Sequence, residues 1–212
     1  MDLILFGIQG SGKGTQGRLL MDRYDTAYFE TGAELRRLSK EDSKLGKKVK
    51  EIIEAGHLVP NEIVMEIVED FLKNVPEGKN VIFDGIPRKM EQAKSLDALL
   101  QEHGREYKAL ILDLPKEVAI NRLTLRRICS KCKTAYPADY ENEMCERCNS
   151  ELITRSDDNP ESIKTRINAY FEETMPVIDM YLEQDKLIRI NGEQSIEGVS
   201  QELFKTLDPI YK

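Results

Sequence analysis

Gly10-Ser11-Gly12-Lys13-Gly14-Thr15 places one ammonium among glycines and hydroxyls near the start of the chain. An apolar run, Leu3-Ile4-Leu5-Phe6, precedes it, and a helical pattern from Gln16 to about Tyr24 follows. Strand, glycine-rich turn, lysine and helix form the phosphate-cradling arrangement known as a P-loop. Glycines let backbone N–H groups curl around an anion, and the helix N-terminus adds its own donors and partial positive charge. Lys13 would reach the outer phosphates as a point charge. The general motif carries Ser or Thr after Gly-Lys, whereas here Gly14 stands there and Thr15 is next.

Two further clusters carry chemistry. Val81-Ile82-Phe83 runs into Asp84-Gly85-Ile86-Pro87-Arg88. A carboxylate at the tip of a parallel strand beside a P-loop is placed to hold Mg²⁺ or its waters. Cys129-x2-Cys132 and Cys145-x2-Cys148 are separated by twelve residues. Two such knuckles close a tetrahedral metal site with no open position, so the metal would be structural. Zinc and iron both suit four sulfurs; a pair of disulfides or a redox dithiol are the alternatives. Lys13, Arg88, Arg122, Arg126, Arg155 and Arg166 are cations at element ends that could face one cleft. With only His57 and His103 in the chain, histidine acid–base chemistry has little scope. Electrostatic catalysis of phosphoryl transfer, which needs positioning and charge rather than a protein nucleophile, fits this inventory.

The elements that must position these groups alternate. Strand patterns at 3–6, 27–29, 81–83, 109–112 and 187–190 alternate with helical ones, which predicts a five-stranded parallel sheet with helices on both faces. Thr31 reads as an N-cap with Glu34 completing a capping box, and Gly56 as a helix stop. Asn61 reads as the cap of a helix over 62–73, and Arg88 as the start of one reaching about Leu100. A helix over 117–127 would turn Val118, Ile120 and Leu123 inward. Asn159 and Pro160 open a long helix that Pro176 should kink or end. A last helix covers about 195–207.

The 212 residues suit one α/β domain, and 40% hydrophobic content is enough for a packed core. A formal charge of −7 argues against nucleic acid as the main partner, although a small polyphosphate needs only a few converging cations. No apolar run reaches membrane-spanning length, no signal-peptide pattern opens the chain, and a cytoplasmic location is expected.

The chain resembles the adenylate kinase family over nearly its whole length, specifically the bacterial type with a long zinc-bearing lid. The resemblance rests on Gly10 to Gln16, Thr31-Gly32 with Arg36, Asp84-Gly85-x-Pro87-Arg88 with Gln92, Arg122-x3-Arg126-Arg127, the four cysteines, and Arg155-x-Asp157-Asp158-Asn159-Pro160-Glu161 with Arg166. It implies the reaction ATP + AMP ⇌ 2 ADP, with Mg²⁺ accompanying ATP and a structural Zn²⁺ on the cysteines. It also implies a monomer. Gly10, Ser11, Gly12, Lys13, Gly14, Thr15 and Arg126 would hold the ATP phosphates, with Ala135, Tyr136 and the backbone near Gln194 by the base. Thr31, Arg36, His57, Leu58, Val59, Gly85, Ile86, Pro87, Arg88 and Gln92 would hold AMP, with Arg155 and Arg166. Lys13, Arg88, Arg122, Arg126, Arg155, Arg166 and Asp84 would be catalytic. Residues 1–29, 60–127 and 160–212 would form the core, 30–59 an AMP-binding flap and 128–159 the lid. Glu30, Ala33, Ile86, Lys89, Gln9 and Pro137 depart from the family pattern. Another nucleoside monophosphate kinase, or a nucleotide-dependent zinc-ribbon binding module, are the competing readings.

Overall fold

A computed structural model describes residues 1–137 and 140–211. In chain order its elements begin with β1 (Asp2–Phe6), α1 (Lys13–Tyr24), β2 (Ala27–Glu30), α2 (Thr31–Leu38), α3 (Lys44–Glu54), α4 (Asn61–Lys73), β3 (Val81–Asp84), α5 (Met90–Glu102), β4 (Tyr107–Asp113) and α6 (Lys116–Leu125). They continue with β5 (Arg127–Cys129), β6 (Ala135–Tyr136), β7 (Leu152–Ile153), α7 (Pro160–Ala169), a π-helical turn (Tyr170–Thr174), α8 (Met175–Glu183), β8 (Leu187–Asn191) and α9 (Ile196–Tyr211).

The five expected strands pair in parallel in the order β2-β3-β1-β4-β8. Every residue of β1 and β3 is buried, as an unbroken apolar strand covered on both faces requires. Alternation divides the core. Ile4, Phe6, Phe29, Phe83 and Ile111 pack with α4, α5, α7 and α8, whereas Leu3, Leu5, Ile82, Leu110 and Leu112 pack with Leu20 of α1 and Leu203 and Leu207 of α9. Register sets Leu5 beside Asp84 and Asp84 beside Glu30, so the strands deliver their polar ends to one edge. Ligands of open parallel sheets bind outside that edge. Among the described residues no helix is long and apolar enough to cross a membrane.

Several local expectations are corrected. Thr31 is the first helical residue, not the cap; Glu30 holds the cap position without a side-chain cap bond. The Thr31 hydroxyl is instead buried without a hydrogen-bond partner. Asn61 likewise lies inside its helix, with Pro60 before it, and its amide donates to Ser95 Oγ at 3.2 Å. Helix α5 starts at Met90, because the Arg88 N–H and side chain are committed to Gln92 and Gly85. Helix α6 stops at Leu125 with Arg126 as its cap, and Arg127 has entered β5. Ala119 and Leu123 are its buried residues, while Ile120 is 37% exposed. Pro176 ends nothing: the π-helical turn sits just before it and α8 carries it in its first turn, where a missing N–H is tolerated. Helix α9 runs on to Tyr211, whose ring stacks on Tyr24 at 4.6 Å and whose hydroxyl donates to Met1 O at 2.6 Å.

The cysteine-bearing insert has a sheet of its own, antiparallel in the order β6-β5-β7. These strands are two or three residues long, too short for the sequence pattern to mark them.

Candidate active site

The loop from Gly7 to Gly12 folds as its glycines dictate. Gly10 and Gly12 take φ of 88° and 93°, which side chains rarely adopt. A Cβ on Gly7 would meet Ser11 Oγ at 2.5 Å and Leu112 O at 2.8 Å. Lys13 Nζ lies back over this loop and donates to Gly7 O at 2.5 Å and Ile8 O at 3.2 Å. Burial is the main reason that its ammonium is pushed down to about 8; Asp84 opposes the shift, and Arg88, Arg166 and Arg126 add to it. The Ser11 hydroxyl and Gln9 Oε1 are buried without partners beside it. Such orphan groups are rare unless something else meets them.

Asp84 ends β3 at the same edge. Its carboxylate is buried, which raises its pKa against the pull of Lys13 and of Tyr28, whose hydroxyl donates to Oδ2 at 2.7 Å. Hard carboxylate and hydroxyl oxygens at this edge fit Mg²⁺, which favours oxygen ligands.

The arginines arrive from distant parts of the chain and are held by acids. Arg126 makes a two-pronged pair with Asp158 at 2.8 and 2.7 Å. Arg166 donates to the same carboxylate at 3.0 Å and to Asp157 O at 2.7 Å. Arg155 clasps Asp157 through Nε and Nη2. Burial alone would raise the Asp157 pKa, but the Arg155 donors and the charges of Arg155, Arg166 and Arg36 hold it down at about 2. Arg88 donates to Gly85 O at 2.9 Å, and burial next to Arg166 lowers it to about 10. Arg36 donates to Glu30 at 2.8 Å. Arg122 stands apart and reaches Gly192 O at 3.2 Å.

Arg36, Arg88, Arg155, Arg166 and Asp157 line one cleft of about 650 Å³ including its open mouth, whereas Arg126 and Arg122 are outside its lining. Thr31, Arg36, His57, Leu58, Val59, Gly85, Arg88, Gln92, Arg155 and Arg166 all line it. A smaller cavity holding Lys13 and Pro87 shares Gln9, Gly85 and Arg88 with it as a common wall. Ile86 lines neither, because its side chain is 1% exposed and belongs to the core. Gln92 Oε1 accepts from the Arg88 N–H at 2.9 Å.

The residues expected near a nucleotide base lie in the insert and the β8–α9 loop. Ala135 is exposed in β6, whereas Tyr136 is buried, with its ring 4.4 Å from that of Tyr140 and its hydroxyl donating to Cys145 Sγ at 3.1 Å. Gln194 donates to Asn191 O at 3.1 Å and Glu202 Oε2 at 2.5 Å.

The four cysteines are free thiols whose sulfurs all lie within 4.8 Å of one another. The N–H groups of Lys131 and Cys132 point at Cys129 Sγ from 3.4 and 3.3 Å. Four converging sulfurs with backbone donors on one of them fit a tetrahedral metal such as Zn²⁺.

The residues that sequence reading passed over are the acids. Asp157 and Asp158 stood only inside the motif around Arg155, and Glu30 as a departure from a pattern, yet the three acids hold Arg18, Arg36, Arg126, Arg155 and Arg166. The signal for the two aspartates is their proximity to Arg155. Tyr28 carried none.

The family model described as adenylate kinase matches residues 5–186. A curated adenylate kinase of Kosmotoga olearia is 44% identical over 98% of this chain and 99% of its own length. That of Desulforamulus reducens is 41% identical over 96% and 98%, and that of Archaeoglobus fulgidus 37% identical over 99% of both. With a P-loop at the sheet edge, an arginine-lined cleft beside it and a family match along nearly the whole chain, this protein belongs to the adenylate kinase family of nucleoside monophosphate phosphotransferases.

Proposed function

We propose that the chain transfers the terminal phosphoryl group of ATP to AMP, reversibly, giving two ADP. The observation that carries this reading is the shared wall between the Lys13 cavity and the arginine-lined cleft. A donor phosphate on the loop and an acceptor phosphate in the cleft would meet there, across Arg88.

In the forward direction an AMP phosphate oxygen attacks the terminal phosphorus of ATP. The bond from that phosphorus to the bridging oxygen breaks, and ADP leaves. Lys13 and the backbone N–H groups of residues 10–15 hold the donor phosphates. Arg88, Arg126, Arg155 and Arg166 spread positive charge around the migrating group, and Arg36 and Thr31 hold the acceptor. Gln92, whose carbonyl is already bonded to Arg88, keeps its NH₂ for the purine edge. Mg²⁺ bound with ATP neutralises phosphate charge, and Asp84 is the residue placed to hold it or its waters. Burial of these cations strengthens each contact, since a charge pair gains as the local dielectric falls.

Residues 30–59 act as the AMP flap and 128–159 as the lid, the latter held by Zn²⁺ on Cys129, Cys132, Cys145 and Cys148. A segment with so small a core needs the metal for its folding. Ala135 and Tyr136 on the lid and the backbone near Gln194 border the ATP base. Arg122, turned to Gly192 O, joins the phosphates by swinging inward. The protein works as a cytoplasmic monomer on ATP, AMP and ADP.

The test is ADP formation from ATP and Mg²⁺ with no acceptor, with AMP, and with CMP, UMP or GMP. Strong stimulation by AMP alone supports the reading. Equal turnover with a pyrimidine monophosphate makes the chain a broader kinase, and no stimulation by any acceptor removes the activity.

A further inference from the structure

Glu30 occupies an unusual place. It ends β2 at the sheet edge and holds two arginines at once, Arg36 through Oε1 at 2.8 Å and Arg18 through Oε2 at 3.0 Å. Arg36 lines the acceptor cleft, whereas Arg18 comes from α1 and does not. The Arg36 guanidinium lies close over Gly32, where a Cβ would sit 2.8 Å from Nη1. The neighbouring Thr31 hydroxyl is buried in the cleft wall without a partner. The acids on Arg155 and Arg166 differ from Glu30. Among the described residues Asp157 and Asp158 make direct ion pairs with Arg126, Arg155 and Arg166, two arginines to each acid, so releasing one arginine leaves each acid paired with another.

We propose that Glu30 is an internal competitor for the acceptor's phosphate at Arg36, with Arg18 retaining the carboxylate when the phosphate displaces it, so that this triad sets the affinity for the monophosphate. The inference rests on the assignment of AMP to this cleft. A phosphate dianion offers three strong acceptor oxygens and outcompetes a carboxylate for a guanidinium. The free protein nevertheless holds Arg36 in the Glu30-bound position, and the apparent affinity falls by the fraction of molecules in which Arg36 is available. Arg18 keeps the displaced carboxylate neutralised beside the incoming phosphate. Without it, two anions would face each other at the sheet edge. The three side chains are 20–37% exposed, so the pair is of the screened kind and the competition is a tuning effect rather than a block.

The test is equilibrium binding by calorimetry of AMP, adenosine and ATP to the full chain, with Glu30→Gln, Glu30→Ser, Arg18→Gln and the Arg18→Gln/Glu30→Gln double variant. Either Glu30 variant should bind AMP more tightly by roughly two- to fivefold. Adenosine, which has no phosphate, and ATP should bind as they do to the parent. Arg18→Gln should bind AMP more weakly, and adding Glu30→Gln should abolish that loss. A merely structural role for Glu30 would shift adenosine and AMP together. Unchanged or weaker AMP binding by both folded Glu30 variants overturns the proposal. Arg36→Ala is the separate control: if it leaves AMP affinity unchanged, the AMP assignment itself is wrong, whatever Glu30 does.

Discussion

Tyr28 donates its hydroxyl to Asp84 Oδ2 at 2.7 Å, one strand across the sheet, and its ring reaches that point through the space left by Gly17. A Cβ on Gly17 would lie 2.5 Å from Tyr28 Cε2 and 2.8 Å from its hydroxyl. A glycine inside α1 thus has a packing reason. It admits the ring that gives a buried carboxylate its hydrogen bond, and that carboxylate is coupled electrostatically to Lys13.

Tyr28→Phe keeps the ring and removes the donor. A hydrogen bond to a buried charged group is worth about 1.5–3 kcal/mol, so thermal unfolding should shift down by roughly 3–12 °C. Mn²⁺ affinity of the nucleotide complex, read by electron paramagnetic resonance, should change in the same variant. An unaltered melting temperature with unaltered metal affinity would show that the hydrogen bond does not position Asp84.

Gly17→Ala separates packing from propensity. Alanine normally stabilises a helix interior by about 1 kcal/mol over glycine. Here the substitution should destabilise, because the ring must move. In a Tyr28→Ala background the clash is gone, and the same change should stabilise. Equal effects in the two backgrounds, measured by denaturant unfolding, would contradict the contact.

Much of this was legible in the sequence, for identifiable reasons. The unbroken apolar runs of β1 and β3 read as strands covered on both faces and are buried throughout, whereas the edge strands β2 and β8 are only partly buried and β8 carries Arg189. What escaped has a common physical origin. Thr31, Asn61 and Arg88 were expected to start or cap helices, which is what their residue types do in isolation. A tertiary partner, Ser95, takes the Asn61 amide, Arg88 is held by its near neighbours Gln92 and Gly85, and the buried Thr31 hydroxyl stands in the cleft wall. The pairing of Arg126 with Asp158, thirty-two residues away, depends on folding and leaves no local trace, whereas Arg155 and Asp157 are two residues apart. Tyr136 shows the same limit, since its hydroxyl goes to Cys145.

The phosphate role proposed for Lys13 makes ATP binding depend on pH. Its ammonium is pushed down to about 8 by burial. A bound polyphosphate favours the charged form, so ATP binding near pH 8 should draw in about half a proton from solution. Calorimetry of ATP binding in buffers of different ionisation enthalpy measures this directly. ATP affinity should fall as pH rises above 8. In the free protein the sign for stability is the opposite: between about 8 and 10.5 the unfolded chain holds the proton that the folded one has lost, so stability rises with pH there. Proton-neutral ATP binding at pH 8 would contradict the buried, charge-crowded setting of Lys13.

Asp157 ties the arginine cluster to acid stability. Its folded value of about 2 lies below the ordinary 3.8, so it stabilises the fold above roughly pH 4 and that contribution is lost as pH falls toward 2. The full contribution is roughly 2 kcal/mol. Asp157→Asn should be less stable at neutral pH and should show a flatter stability profile between pH 4 and 2. A profile parallel to that of the parent would mean that the pair with Arg155 adds nothing.

The cysteine cluster should bind about one metal ion per chain, because four ligands fill one tetrahedral site. Cys129→Ser, or removal by a chelator, should release the metal and lower the melting temperature by several degrees, since metal binding is folding free energy for so small a unit. Full metal content with unchanged melting in Cys129→Ser would contradict the four-sulfur site.

The central claim is that the loop under Lys13 and the arginine cleft act together across Arg88. The most direct measurement follows the label from ATP radiolabelled in its terminal phosphate, in the presence of Mg²⁺ and AMP, for the parent chain and for Arg88→Ala. The label should pass to ADP, with little free phosphate, and Arg88→Ala should slow the transfer by roughly 100-fold or more while the chain stays folded. Label appearing as inorganic phosphate at a rate indifferent to AMP, or transfer undiminished in Arg88→Ala, would contradict it.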